Sequence, residues 1–396
     1  MKTISAIFFV TLILPNLCLA ENHSIPTLIS DAAPTGGVQT LELKELWRAG
    51  GEDEDVIFGR ITDIKNGPDG NTYVLDNQLH QVMVFSPEGE HLRDLSREGD
   101  GPGELRQPVE IAFLTDDILG IGMGFPGKVI SIKLDGTPAE TYYPIGEPSD
   151  GNIGLLMGFQ YLNGVMVACG GRMVFDNPAE AHTSRFLSVC SGQCTETRHL
   201  LEKETPLDMS GQRYVEASNY YLERTWVLGP LGNIYASHKR DSYEISVIDK
   251  TGDLVRVFGR KYKARKRTEA DKKRVSPVIN MGNNPDMEIV AEDHDPCISR
   301  VLFNHDEATV WVLTPHGEND QPEGILEVWD VFSTAGEYLK QVVIPLGDEM
   351  NDGTIHLVGG SRLIVVKGTG SAFGGDDNSE EETEVEPMEV ICYEIR

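Results

Sequence analysis

The sequence predicts an all-β chain, a six-bladed β-propeller built from four-stranded antiparallel blades. Three observations predict it. Apolar runs of four to six residues, rich in Val, Ile, Tyr and Phe, alternate with Gly, Pro, Asn and Asp along most of the chain; this is the pattern of short strands joined by turns. Few runs have the length and period of an amphipathic helix. A turn ending in glycine recurs at intervals of roughly 40–50 residues, the period of propeller repeats, or longer where segments are inserted.

The clearest unit runs from Phe58 to Phe113. Strands are expected at Ile61–Ile64, Thr72–Leu75, Val82–Phe85 and His91–Leu95, separated by Asn66–Gly70, Asp76-Asn77 and Ser86–Gly89, with a Gly-rich crossing at Gly99–Gly103. None of the four runs is long enough for a typical helix, so the unit reads as one blade. The strings Asp69-Gly-Asn-Thr-Tyr-Val-Leu-Asp76, Val82-Met-Val-Phe-Ser-Pro-Glu-Gly89 and Gly99-Asp-Gly-Pro-Gly-Glu104 resemble an NHL-type repeat of the six-bladed propeller proteins. The resemblance is good over this blade and its flanks and weaker elsewhere. It implies a fold and names no activity.

The turn between third and fourth strands counts the remaining blades. It recurs as Ile132–Gly136, Leu187–Gly192, Val247–Gly252 and Val331–Gly336. The preceding strand pairs are Val109–Phe113 with Ile118–Met123, Leu155–Phe159 with Val165–Cys169, Thr225–Leu228 with Asn233–Ser237, and Ser299–Phe303 with Thr309–Leu313. A sixth unit has only three strands, Thr354–Val358, Arg362–Val366 and Met388–Ile395. The stretch Leu41–Ala49 resembles the outer strand His91–Leu95 and has no partners nearby in sequence. It is expected to close the ring as the outer strand of the C-terminal blade, which removes an exposed strand edge.

The propeller is thus assigned to residues 41–396. Residues 1–20 read as a signal peptide, with Lys2, an apolar core at Ile4–Leu14, and small residues near Ala20. Cleavage near Ala20 implies a secreted or periplasmic protein. Residues 21–40, rich in Pro, Gly and Ser, read as a flexible leader. Two insertions interrupt the blades, 260–295 and 368–387. The first holds the only basic cluster, Arg260–Arg267, followed by Thr268 and Asp271 at the spacing of a helix start. Exposed ion pairs contribute at most ~1 kcal/mol each, so neutralising Lys263, Arg265, Lys266 and Arg267 is expected to leave stability nearly unchanged. The second is acidic, low in complexity and expected to be a disordered loop.

The formal net charge is −29, and removing residues 1–20 takes one lysine and no acid, giving −30. Such a surface repels nucleic acid and anionic lipid. No other segment is apolar enough to span a membrane. Beyond residue 20 there are five cysteines, Cys169, Cys190, Cys194, Cys297 and Cys392. The odd number leaves at least one outside any intrachain pair. Cys190 and Cys194 bracket a hairpin turn and are either a disulfide or two half-buried thiols.

The resemblance suggests two enzymes to weigh. NHL-type amidating lyases hold zinc with histidines near the starts of innermost strands. The phrase Asp76–Val82 is similar to a strand pair of theirs, but the matching positions here are Arg60 and Val109, so no zinc site is expected. His80 then reads as an ordinary residue between strands. Lactonase-like propellers hold calcium with Glu, Asn and Asp. Asp63, Glu110, Asn219 and Asn304 are of those types, but they read first as hydrated channel residues or turn acceptors. No Gly-x-Ser-x-Gly elbow occurs. Gly122–Gly127 matches a dinucleotide glycine pattern, but a strand follows it, so it reads as a turn. Trp47, Trp226, Trp311 and Trp329 are expected to pack between blades.

The sequence therefore points to an exported, monomeric binding or scaffold module, non-catalytic, with a protein or small extracellular ligand. The channel-mouth candidates are Arg60, Asp63, Glu110, Asn219 and Asn304. No cofactor is expected, with calcium as the one admitted ion. The alternative is a metal-dependent hydrolase or lyase at the same mouth.

Overall fold

The computed structural model describes residues 25–51, 56–146, 152–175, 181–192, 194, 197–207, 212–277, 287–346, 353–368 and 387–396. Six sheets, each with four antiparallel strands, form a ring. The first blade is Ile61–Asn66, Thr72–Asp76, Gln81–Phe85 and His91–Leu95. The second runs from Pro108–Thr115 to Pro138–Tyr142, the third from Asn152–Leu162 to Thr197–Pro206. The fourth runs from Trp226–Leu228 to Leu254–Arg260, the fifth from Arg300–Asn304 to Tyr338–Pro345. The sixth takes Thr354–Gly359, Arg362–Lys367 and Glu389–Ile395 from the C-terminus, and its outer strand is Leu43–Gly50. That strand runs antiparallel to the last, with Trp47 opposite Cys392.

The apolar residues lie on both faces of each strand because each sheet is sandwiched between two others. Val74, Met83 and Phe85 pack toward the sixth blade, whereas Tyr73, Leu75, Val82 and Val84 pack toward the second. One apolar cluster fills each of the six gaps around the ring. All four tryptophans are buried in these gaps.

The recurrent turn glycine has two reasons to be glycine. Gly89, Gly136, Gly192, Gly252 and Gly336 all take positive φ, a conformation that costs other residues roughly 1–2 kcal/mol. Three of them also touch the outer strand of the preceding blade. A Cβ at Gly89 would meet Trp47 at 2.5 Å, at Gly252 Leu200 at 2.7 Å, and at Gly336 Phe258 at 2.5 Å.

The stretch expected as a leader is ordered from residue 25. Thr27–Ser30 adds a fifth, parallel strand to the outer edge of the fourth blade, and Val38–Thr40 does the same on the fifth. Backbone hydrogen bonding explains this, since an outer edge offers unpaired N–H and C=O groups whatever the side chains. Residues 1–24, and most of the acidic insertion 368–387, lie outside the described residues.

The basic insertion also differs from expectation. Its short helix, Glu269–Lys273, starts with a reciprocal Thr268–Asp271 capping box. The arginines before it are not a free patch. Arg265 donates to Asp271, Asp295 and Asp320, and Arg267 to Asp295 and Glu216. Arg240 completes the network on Glu216 at 2.9 Å. Most of these groups are largely withdrawn from water, where multidentate charge-assisted hydrogen bonds outweigh exposed pairs.

Candidate functional site in the central channel

Each blade starts at its innermost strand, and each has four antiparallel strands. The crossings between blades and the hairpins joining second to third strands therefore share the end where the inner strands begin. Among the described residues the long connections fall there, including 212–225, 261–277, 287–299 and 314–324. The described turns at the other end are short, such as Ser86–Gly89 and Ser333–Gly336.

Neighbouring blades are pinned to one another along the channel by polar side chains of the inner strands. Asp63 Oδ2 accepts from Ile111 N at 3.0 Å, Glu110 Oε2 from Phe159 N at 2.7 Å, and Gln160 Oε1 from Leu228 N at 2.7 Å. In the next gap the Arg224 carbonyl accepts from Val301 N at 2.9 Å. Arg300 Nη2 then donates to Ile355 O at 2.8 Å. Edge strands leave such N–H and C=O groups unpaired, and here each is satisfied by a side chain or backbone group of the adjacent blade.

The same groups form a belt of charge. Lys65 Nζ lies 2.8 Å from Asp63 Oδ1 and 4.0 Å from Glu110 Oε1. Asp63 Oδ1 is 3.9 Å from His356 Nδ1 on the sixth blade. Burial opposes the Lys65 charge, but the Asp63 and Glu110 carboxylates outweigh it and hold the ammonium above the usual lysine range. Burial, and then the Asp63 charge, push the Glu110 carboxyl up to about 8. Burial drives the His356 imidazole well below its ordinary value, helped by the charges of Arg300, Lys65 and Arg224. Arg300 is lowered to about 10, first by burial and then by Arg224. Lys65 keeps 37% of its side-chain surface accessible, and Glu223 and Arg224 are exposed, as expected of groups lining an open concavity.

Of the five residues singled out from sequence, only Asp63 and Glu110 come together. The Arg60 guanidinium donates to Asn77 Oδ1 at 2.7 Å, beside the first blade's hairpin turn. Asn219 ends the short helix before the fourth blade, where its amide donates to Val215 O at 2.9 Å and its carbonyl accepts from Arg185. Asn304 stands at the other end of the channel from Arg60. Its side-chain oxygen accepts from the backbone of Asp306 and Glu307, which makes it a turn acceptor. Cys190 and Cys194 are joined in a disulfide, and the other described cysteines, Cys169, Cys297 and Cys392, are buried thiols.

Sequence reasoning missed Lys65, Arg224, Arg300 and His356. The available signal was a charged or imidazole side chain at or within an otherwise apolar inner strand, as in Thr354-Ile-His-Leu-Val358. Among the described residues, no group of three or more His, Cys, Asp and Glu is placed to hold a metal ion. The position between the Asp63 and Glu110 carboxylates is taken by the Lys65 ammonium.

No family model matches the chain, and no curated protein matches it. Solved structures do. A member of the DUF4221 family from Bacteroides vulgatus aligns with a TM-score of 0.50 and 10% identity over 90% of this chain and 98% of its own. A Bacteroides fragilis protein aligns with a TM-score of 0.48 and 11% identity over 94% and 100% of the two chains. A luciferin-regenerating enzyme aligns with a TM-score of 0.46 and 10% identity over 88% and 95%. The first of these likenesses extends to the propeller fold and no further. Among the described residues no helix is long and apolar enough to cross a membrane.

Proposed function

We propose that this chain is an exported, NHL-like propeller that binds a ligand in the channel, entering from the end where the inner strands begin, without catalysing a reaction. The observation that carries this reading is the belt of charged groups, drawn from inner strands of several blades and overlooked by all the long connections. Loops gathered on one face of a rigid scaffold are where propellers place recognition. Export is supported by the N-terminal pattern of Lys2, Ile4–Leu14 and Ala20 and by the Cys190–Cys194 disulfide, which suits an oxidising compartment. The non-catalytic choice is supported by Lys65, which fills the place a divalent ion would need between Asp63 and Glu110.

The test is retention. Mature protein is equilibrated with a small-molecule extract, washed, and denatured, and what it releases is identified by mass spectrometry. A stoichiometric compound is expected, and Lys65→Met should abolish its retention; Asp63 keeps its backbone donors Ile64 N and Ile111 N, and circular dichroism checks that the variant is folded. Retention that survives substitutions along the channel would place the site elsewhere. Stoichiometric zinc or calcium after dialysis, lost on changing Asp63 or Glu110, would overturn the non-catalytic reading.

A further inference from the structure

We propose that the channel site recognises an oxyanion, a carboxylate or phosphate group of a small ligand, through the guanidinium groups of Arg224 and Arg300. This rests on the channel reading above and specifies its chemistry. The backbones of the two arginines meet across the gap between the fourth and fifth blades, where the Arg224 carbonyl accepts from Val301 N, the residue after Arg300, and the Arg224 charge bears on Arg300. Arg300 is only 8% exposed. One arm of its fork, Nη2, is committed to Ile355 O. The other, Nη1, is buried without a hydrogen-bond partner. Leaving a buried donor of a charged group unpaired is costly, and Nη1, held in place by the planar guanidinium, is left to donate to an anion oxygen.

The nearby carboxylates do not fill that role. Asp63 already accepts from Ile64 N, Ile111 N and Lys65 Nζ. Glu327 accepts from Trp329 Nε1 at 2.7 Å, and burial raises it to about 7, so it is only part-charged near neutrality. Glu318 acts on Arg300 through its charge, behind Glu327. Glu223, although its surface is open to the channel, lies deep enough among protein atoms that desolvation raises it, opposed by Arg185 and Arg224. The largely buried His356 is held neutral first by its burial and then by the surrounding cations. On a chain of net charge −29, Arg300, Lys65 and Arg224 all act on His356, and this gathering of cations draws an anion inward.

The experiment titrates mature protein with succinate, with inorganic phosphate and with succinamide at fixed ionic strength, read by calorimetry. Saturable one-site binding of succinate or phosphate is expected, and none of the neutral succinamide. Preference between the two anions identifies the class. Arg224→Gln, at an exposed side chain, should weaken binding about tenfold or more, the loss of one charge-assisted contact. Arg300→Lys keeps a charge, loses the fork and should weaken it similarly; circular dichroism checks that each variant is folded. No saturable binding of either anion up to millimolar concentration, or equal binding in a folded Arg224→Gln, overturns the proposal. An uncharged compound retained in the channel by the parent protein and lost in Lys65→Met would leave the binding function standing and refute the anion.

Discussion

Glu110 shows how one side chain can serve the fold and carry a titration near neutrality. Its carboxylate pins the second blade to the third through Phe159 N, yet burial and Asp63 favour its protonated form. The folded state therefore holds this proton more tightly than the unfolded chain does. Its contribution to stability is full below the ordinary value of 4.5 and is lost as pH rises through about 8. Glu327, raised to about 7, acts with the same sign, whereas Asp271, lowered to about 2, stays ionised throughout that window. These two carboxyls make the melting temperature fall between pH 4.5 and 8, whereas His356, lowered chiefly by burial, acts with the opposite sign below its ordinary value of 6.5, so the readout is the difference between parent and variant. In Glu110→Gln, whose amide oxygen still accepts from Phe159 N, the slope should be visibly shallower. Equal slopes in parent and variant, by scanning calorimetry across that range, would mean that Glu110 is not the group responsible.

At the scale of elements, residues 260–277 and 287–299 are held by ion pairs against the fourth and fifth blades. Arg260 leaves the fourth blade to reach Asp330 on the fifth, where Tyr243 and Gln341 also donate to that carboxylate. Arg265 and Arg267 then share Asp295. Side-chain exposures of 9% for Arg267 and 14% for Asp295 put that pair well inside. Removing one partner of such a pair costs about 3 kcal/mol or more, because the other is left buried and charged. Arg267→Met is therefore expected to lower stability by about that amount, and the exposed Lys263→Gln and Lys266→Gln by less than about 0.5 kcal/mol. Urea titrations of the three variants separate these outcomes. A harmless Arg267→Met would restore the picture of a loose basic patch.

For the molecule as a whole, the N-terminal stretch works as a belt. It lies on the outer edges of the fourth and fifth blades and then supplies a full strand to the sixth. The first two contacts are mostly backbone, and most of the side chains of 27–30 and 38–40 are exposed. Backbone hydrogen bonds contribute about 1 kcal/mol each, and the larger loss is protection of two strand edges. The third contact buries Trp47 and Ala49 against the first and sixth blades, at about 1.5–3 kcal/mol for each large side chain fully withdrawn from water. A mature chain lacking residues 21–40 should melt cooperatively a few degrees lower and aggregate sooner. One lacking 21–50 should show no cooperative transition by calorimetry. A longer deletion that melts like the parent would mean that the sixth blade is stable with three strands.

The sequence by itself determined the blades. Strand runs, turn glycines and spacing are local signals, and they place the inner pairs of all six sheets within a few residues, because a strand's face pattern and a turn's positive φ are set by neighbours in the chain. The Gly89 and Gly336 turns were legible, although their contacts with Trp47 and Phe258 were not. The site was much less legible. Asp63 and Glu110 could be chosen by type, but Asn304 was equally acceptable by type and is a turn acceptor at the far end of the channel. Lys65, Arg224, Arg300 and His356 lie far apart along the chain, and only ring closure brings them to one axis. Likewise, Arg265 and Arg267 look solvated until the fold sets Glu216, Asp295 and Asp320 beside them. Local geometry is written in adjacent residues, whereas which charges meet depends on how the sheets close.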